Sequence, residues 1–137
     1  MYKVKIFTLG KVKEAWLQSA LEEYLKRLKK TMHVEWVLAK TTAELLASLE
    51  NISSLIVLDP LGKSLSSPAF AQFIERKGSR LNFVIGGPDG LPLSLKQRAD
   101  TLLSLSSMTF THQLTRLILI EQLYRALEIS KGSAYHK

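Results

Sequence analysis

The chain ends in Tyr135-His136-Lys137, which sets a phenol, an imidazole and an ammonium side by side. Together these groups can stack on a planar ring, exchange a proton near neutral pH and stabilise developing negative charge. An ordinary C-terminus frays and carries no such set. His136 is the candidate general base, with Lys137 and Arg116 as its electrostatic partners and Tyr135 as a stacking surface. Arg116 has no acid three or four residues away. It is either an arginine snorkelling from a core helix or a cation aimed at an anion.

A second set of candidates lies in three loops of small residues. Pro60 to Ser67 follows the apolar run SLIVLD, Gly86-Gly87-Pro88-Asp89-Gly90 follows LNFVI, and Ser106 to Phe110 follows LLSL. In such loops main-chain groups are accessible to a ligand. Neither nucleotide fingerprint is present: the second loop lacks G-x-G-x-x-G, and Lys63 follows one glycine without the phosphate-loop spacing. Each loop alone reads as a plain turn. Three at adjacent strand ends predict a ligand pocket, because open α/β sheets bind ligands outside the carboxyl ends of their strands.

Other chemistries fit poorly. With no cysteine and with His33, His112 and His136 lacking any H-x-x-x-H or H-x-x-E spacing, no metal site is expected. No G-x-S-x-G elbow occurs, so Ser104, Ser106 and Ser107 read as turn residues rather than nucleophiles. His33 opens a strand and reads as structural.

The elements that must position these groups alternate. Strands are predicted at Tyr2–Leu9, His33–Ala39, Ser54–Asp59, Leu81–Ile85 and Leu102–Leu105. Helices are predicted at 13–30, at 41–50 with Thr41 or Thr42 as cap, from Ser67-Pro68 to Lys77 with Gly78 as stop, at 93–101, and at about 112–130. The first helix places Trp16, Leu17, Leu21, Tyr24, Leu25 and Leu28 on one side. The runs SLIVLD and LNFVI are nearly continuous apolar strands, as in a parallel sheet covered on both faces. One domain spans residues 1–137, with no repeat, linker or low-complexity tract.

The last helix is apolar almost all round. Leu114, Leu117, Ile118, Leu119, Ile120, Leu123, Tyr124, Ala126, Leu127 and Ile129 cover most of its circumference, and Glu121 and Arg125 can pair across one turn. A chain of 137 residues has only one modest core. One side of this helix is therefore expected on its own sheet and the other on a second subunit, with the reactive tail delivered to a shared site.

The net charge is +7. Residues 1–30 hold eight Lys/Arg against three acids and residues 96–137 hold six against three, while the middle is nearly balanced. Lys26, Arg27, Lys29 and Lys30 also complement a helix dipole, so that cluster alone says little. The overall balance favours a polyanion, RNA or DNA, as partner. No segment reads as a membrane span or secretion signal, which makes a cytoplasmic protein the expectation.

The ordered elements LDPLGKSLSSPAFA, FVIGGPDGL, LSLSSMTFTHQLTRLILIEQLYRA and the terminal YHK resemble the RlmH (YbeA-like) family of SPOUT-superfamily ribosomal RNA methyltransferases. The resemblance covers essentially the whole chain and is strongest from Leu58 to Lys137. It implies a parallel-sheet α/β/α sandwich of the SPOUT type, a C-terminal trefoil knot, a homodimer and S-adenosyl-L-methionine as cofactor. The implied cofactor contacts are Leu58, Gly86, Leu105, Ser106, Ser107, Met108, Thr109 and Phe110; six fall in the loops chosen from sheet topology, and Leu58 and Leu105 lie in the strands that lead into them. The implied activity is methylation of N3 of a pseudouridine in helix 69 of 23S rRNA, on the assembled 70S ribosome, without metal or membrane. The imide nitrogen must lose its proton, which gives His136 its expected role and Tyr135 a base to stack on. In one alternative the tail only binds RNA and water or a ribosomal group takes the proton; in another the chain is a noncatalytic RNA- or ribosome-binding module.

Overall fold

The computed structural model describes every residue from Met1 to Lys137. In chain order the elements are β1 (Tyr2–Leu9), α1 (Ala15–Leu28), β2 (Met32–Ala39), α2 (Thr42–Leu49), β3 (Ile56–Ser64), α3 (Ser67–Lys77), β4 (Arg80–Val84), α4 (Leu93–Arg98), β5 (Thr101–Ser104) and α5 (His112–Lys131). The strands form one sheet in the order β2-β1-β4-β3-β5, and every pairing is parallel.

Side chains alternate across a strand, and here the alternation divides two cores. Val4, Ile6, Ile56, Leu81 and Phe83 pack with α1, α3 and α5 on one face. Phe7, Ala39, Val57 and Val84 pack with Leu45 and Leu49 of α2 and Leu95 of α4 on the other. Helices on both faces of a parallel sheet make the α/β/α sandwich expected from the sequence. The larger core also holds Leu119, Ile120, Leu123 and Ala126, the inward stripe of α5.

Local chemistry sets the helix ends. The side-chain oxygens of Thr41, Ser66 and Thr111 accept from the backbone N–H of Glu44, Ala69 and Leu114 respectively. α5 stops at Gly132, which adopts φ 73°, while Ser133 N–H donates to Glu128 O. That 6→1 bond with a left-handed glycine is a Schellman stop.

Several boundaries differ from the sequence reading. α1 begins at Ala15 rather than residue 13, and α4 ends at Arg98, so that Thr101 opens β5. β3 continues to Ser64 instead of ending at Asp59. Val57 and Leu58 pair with Leu102 and Leu103, and past a register irregularity Lys63 and Ser64 pair with Leu103 and Ser104. The loop after SLIVLD is thus folded back onto β5. Gly62 permits the approach, since a Cβ there would lie 2.6 Å from the backbone carbon of Leu102. No helix is long and apolar enough to cross a membrane.

Candidate active site

A cavity of about 1070 Å³ opens at the carboxyl ends of β3, β4 and β5. Leu58 to Leu61 reach it from β3, Ile85 to Pro88 with Gly90 and Leu91 from β4, and Leu105 to Thr115 without Ser107 from β5 and the first turn of α5. Of the eight expected cofactor residues, Leu58, Gly86, Leu105, Ser106, Met108, Thr109 and Phe110 line it, and Ser107 does not. Single small-molecule pockets span roughly 300–1,000 Å³, so this one is large enough for a cofactor with room left at the mouth.

The wall combines apolar side chains with exposed main chain. Leu58, Ile85, Leu91, Leu105 and Phe110 offer an apolar surface for a planar ring, and the Gly86-Gly87 backbone lies bare beside it. The glycines also fit their neighbours closely. A Cβ on Gly86 would meet Leu91 Cγ at 3.0 Å, and one on Gly87 would meet Leu9 Cδ1 at 2.7 Å. Ser106 Oγ accepts from Met108 N–H at 3.0 Å and shapes the β5–α5 loop. An adenosyl group with a short zwitterionic tail suits this wall of apolar faces and peptide groups.

Several lining residues were not anticipated. Trp16, read as part of the buried face of α1, is 59% exposed and stands at the cavity rim with Lys13 and Met108. Leu17 beside it is buried in the core, so Trp16, about 100° further round the helix, points outward. Asp59 is only 7% exposed, and its Oδ2 lies 2.7 Å from Lys96 Nζ. Burial alone would raise that carboxyl's pKa, but the Lys96 ammonium and the Leu61 N–H outweigh it and hold Asp59 below the usual carboxylate range. The sign available in the sequence was an acid ending a buried parallel strand. His112 also lines the cavity, and burial, then Arg116 and Lys13, push its pKa down.

The tail is held elsewhere in the subunit. None of Tyr135, His136 or Lys137 lines the cavity. Tyr135 Oη donates to Glu121 at 2.8 Å and lies 3.4 Å from Tyr24 Oη, and its ring packs edge-on against Tyr124 at 4.8 Å. Burial, then Tyr24 and Glu121, raise the phenol's pKa, so it stays protonated as a donor. Arg125 pairs with Glu121 and also approaches His136 Nδ1 at 3.0 Å. These anchors sit two to three turns of α5 beyond the cavity-lining His112–Thr115 turn, roughly 14 Å along the helix axis.

Arg116 resolves to the internal placement. It is fully buried and donates to the carbonyls of Leu9 and Gly10 at 2.7 and 2.8 Å. Its guanidinium therefore holds the end of β1 rather than facing the cavity, and burial lowers its pKa.

Comparison with known proteins agrees with this geometry. The family model described as "Predicted SPOUT methyltransferase" matches residues 2–136. The Ribosomal RNA large subunit methyltransferase H of Protochlamydia amoebophila (strain UWE25) is 54% identical over 141 residues, covering 100% of both chains. A methylase family protein from Haemophilus influenzae Rd KW20 superposes with a TM-score of 0.59 at 10% identity, over 99% of this chain and 70% of that one. A Legionella pneumophila protein, described as a methyltransferase in complex with bound SAM, gives a TM-score of 0.52 at 10% identity, over 92% and 66%. By its fold, its cavity-forming loops and its full-length relatives, the chain belongs to the SPOUT methyltransferase family.

Proposed function

We propose that this chain uses S-adenosyl-L-methionine to methylate large-subunit ribosomal RNA. The target in this reading is N3 of a pseudouridine in helix 69 of 23S rRNA, on the assembled 70S ribosome. The enzyme is a homodimer whose C-terminal part is threaded as a trefoil knot. The observation that carries the reading is the cavity itself, which draws together the β3, β4 and β5 loops that both sheet topology and family resemblance single out. The name of the Protochlamydia relative and the SAM bound to the Legionella protein support it.

The bound cofactor would supply an electrophilic methyl group on its sulfonium. The protein's own part is orientation: main chain at Gly86 and at Ser106 to Phe110 fixes one reactant, and a base enters past Trp16. Tyr135, His136 and Lys137 come from the partner subunit, because the tail of each chain is anchored well away from its own cavity. A twofold axis that sets two α5 helices antiparallel would bring each tail to the other's first turn. There His136 and Lys137 stabilise charge developing on the carbonyl oxygens flanking N3, and the N3 proton passes to water as the methyl group is transferred.

Calorimetric titration with S-adenosylhomocysteine, paired with transfer of a radiolabelled methyl group to 70S ribosomes, tests this. Binding at one site per chain and label in 23S rRNA are expected. A protein that binds ribosomes but neither cofactor nor label would instead be a noncatalytic binding module.

A further inference from the structure

The α2–α4 face of the sheet is covered only over its carboxyl half. In parallel register, Phe7 lies level with Val37 and Val84, and this rung is roofed by α2 and α4. The two rungs nearer the amino ends are different. One reads His33, Lys3, Arg80 across β2, β1 and β4, and the next reads Glu35, Lys5, Asn82. Lys3, Lys5, His33, Glu35 and Arg80 are all exposed.

Interior strands of parallel sheets are normally buried on both faces. Here β1, flanked on both sides, turns two lysines to solvent. Lys3 and Arg80 occupy directly adjacent positions, a like-charge pair that costs stability in a sheet. Neither they nor Lys5 take part in an ion pair. Three permanent cations thus face one carboxylate, on a surface that gains nothing in stability from holding them.

We propose that this open face is a second RNA-binding surface, which grips phosphodiester backbone away from the reacting nucleotide. A polyanion complements its charge. A protein partner suits it less, because protein interfaces centre on aromatic and aliphatic anchors and all six side chains of these rungs are polar. The rungs lie at the amino ends of the strands and the cavity at the carboxyl ends, about 20 Å away along β1 at ~3.3 Å per residue. The RNA segment held here is therefore not the methylated loop, and the surface selects a large folded RNA over an isolated stem-loop. This deepens the proposed function and rests on RNA being the substrate.

The test compares the wild-type protein with the combined Lys3→Ala, Lys5→Ala, Arg80→Ala variant. Binding to protein-free large-subunit RNA is measured across a salt series, alongside steady-state methylation of 70S ribosomes. The variant should raise KM for ribosomes roughly tenfold or more while kcat stays within about twofold. Its log affinity against log salt should flatten by about 0.7–0.9 for each phosphate no longer neutralised. S-adenosylhomocysteine affinity should not change, and the Tm should not fall, because repulsion has been removed. Should the triple variant fold poorly, Lys3→Gln with Lys5→Gln carries the same test, and Lys3→Arg with Lys5→Arg should keep wild-type binding. An unchanged KM and salt slope in a folded variant overturns the proposal. So does a defect seen with ribosomes but absent with protein-free RNA, which would assign the surface to a ribosomal protein. A wild-type protein that binds RNA through this face but methylates none would count against the proposed activity and leave the surface standing.

Discussion

Arg125 Nη1 stands 3.0 Å from Nδ1 of His136. A guanidinium only donates, so Nδ1 accepts and the neutral ring carries its proton on Nε2. In this arrangement His136 presents a hydrogen-bond donor, whereas the sequence alone suggested a general base. A donor aimed at a carbonyl oxygen beside N3 assists by steadying the charge that builds there. His136→Ala should therefore lower the single-turnover rate at saturating ribosome by roughly a hundredfold or more, the usual cost of one lost transition-state donor. His136→Gln keeps an N–H donor without a basic nitrogen and should recover part of that loss. Equal defects in both variants would restore the base assignment, and a normal saturated rate in both would make the tail an RNA anchor only.

The separation of tail and cavity within one subunit makes a distinct prediction. Gly86→Val pushes a branched side chain toward Leu91, whose Cγ lies only 3.0 Å from where the new Cβ would sit. It should weaken S-adenosylhomocysteine binding at least tenfold in a protein that still folds. Deletion of residues 135–137 should abolish methyl transfer with cofactor affinity intact, since terminal residues seldom support a core. Mixing these two inactive proteins should recover activity, because one subunit supplies the cavity and the other the tail. Mixtures that stay inactive while mixed dimers form would place tail and cavity in the same chain.

The strands and the three cavity loops were legible in the sequence because apolar runs such as SLIVLD and LNFVI announce buried parallel strands, and ligands gather at their carboxyl ends. Gly86 and the 106–110 loop followed from that rule, whereas Leu58 and Leu105 came from the family resemblance. Asp59 with Lys96, Trp16 and His112 did not, because their meeting depends on how far α4 and α1 extend, and helix ends are poorly encoded. The fold-back of Lys63 and Ser64 onto β5 was equally hidden, since a glycine in a polar loop reads as a turn. Arg116 illustrates a different limit: an arginine without a helical acid partner looks the same whether it meets a ligand or two backbone carbonyls.

That internal role for Arg116 has a measurable cost. Arg116→Ala leaves the Leu9 and Gly10 carbonyls without their donor and opens a void among core residues. Urea unfolding should show a loss of about 2–4 kcal/mol. Arg116→Lys should also be destabilised, because one ammonium on a shorter stem does not reproduce the planar fork. Wild-type stability with a reduced kcat would return Arg116 to the catalytic group.

The Asp59–Lys96 pair predicts how stability follows acid. Asp59 has its folded pKa lowered, so its contribution is present above the unfolded carboxyl value of about 3.9. It is lost as pH falls through the lower folded value. Asp59→Asn should therefore be less stable than wild type by a constant margin through neutral pH, and the margin should shrink only below about pH 4. A margin that closes already near pH 6 would show that the carboxylate is not held down by Lys96.

Methylation of one defined atom of ribosomal RNA in this cavity can be read directly. Purified protein, S-adenosyl-L-methionine and unmodified 70S ribosomes should be incubated together, and the 23S rRNA digested and read by nucleoside mass spectrometry. The expected product is N3-methylpseudouridine confined to the fragment that contains helix 69, formed by the wild-type protein and not by the Gly86→Val variant. Methylation at another atom or in another fragment, or none despite bound cofactor, would contradict the proposed function.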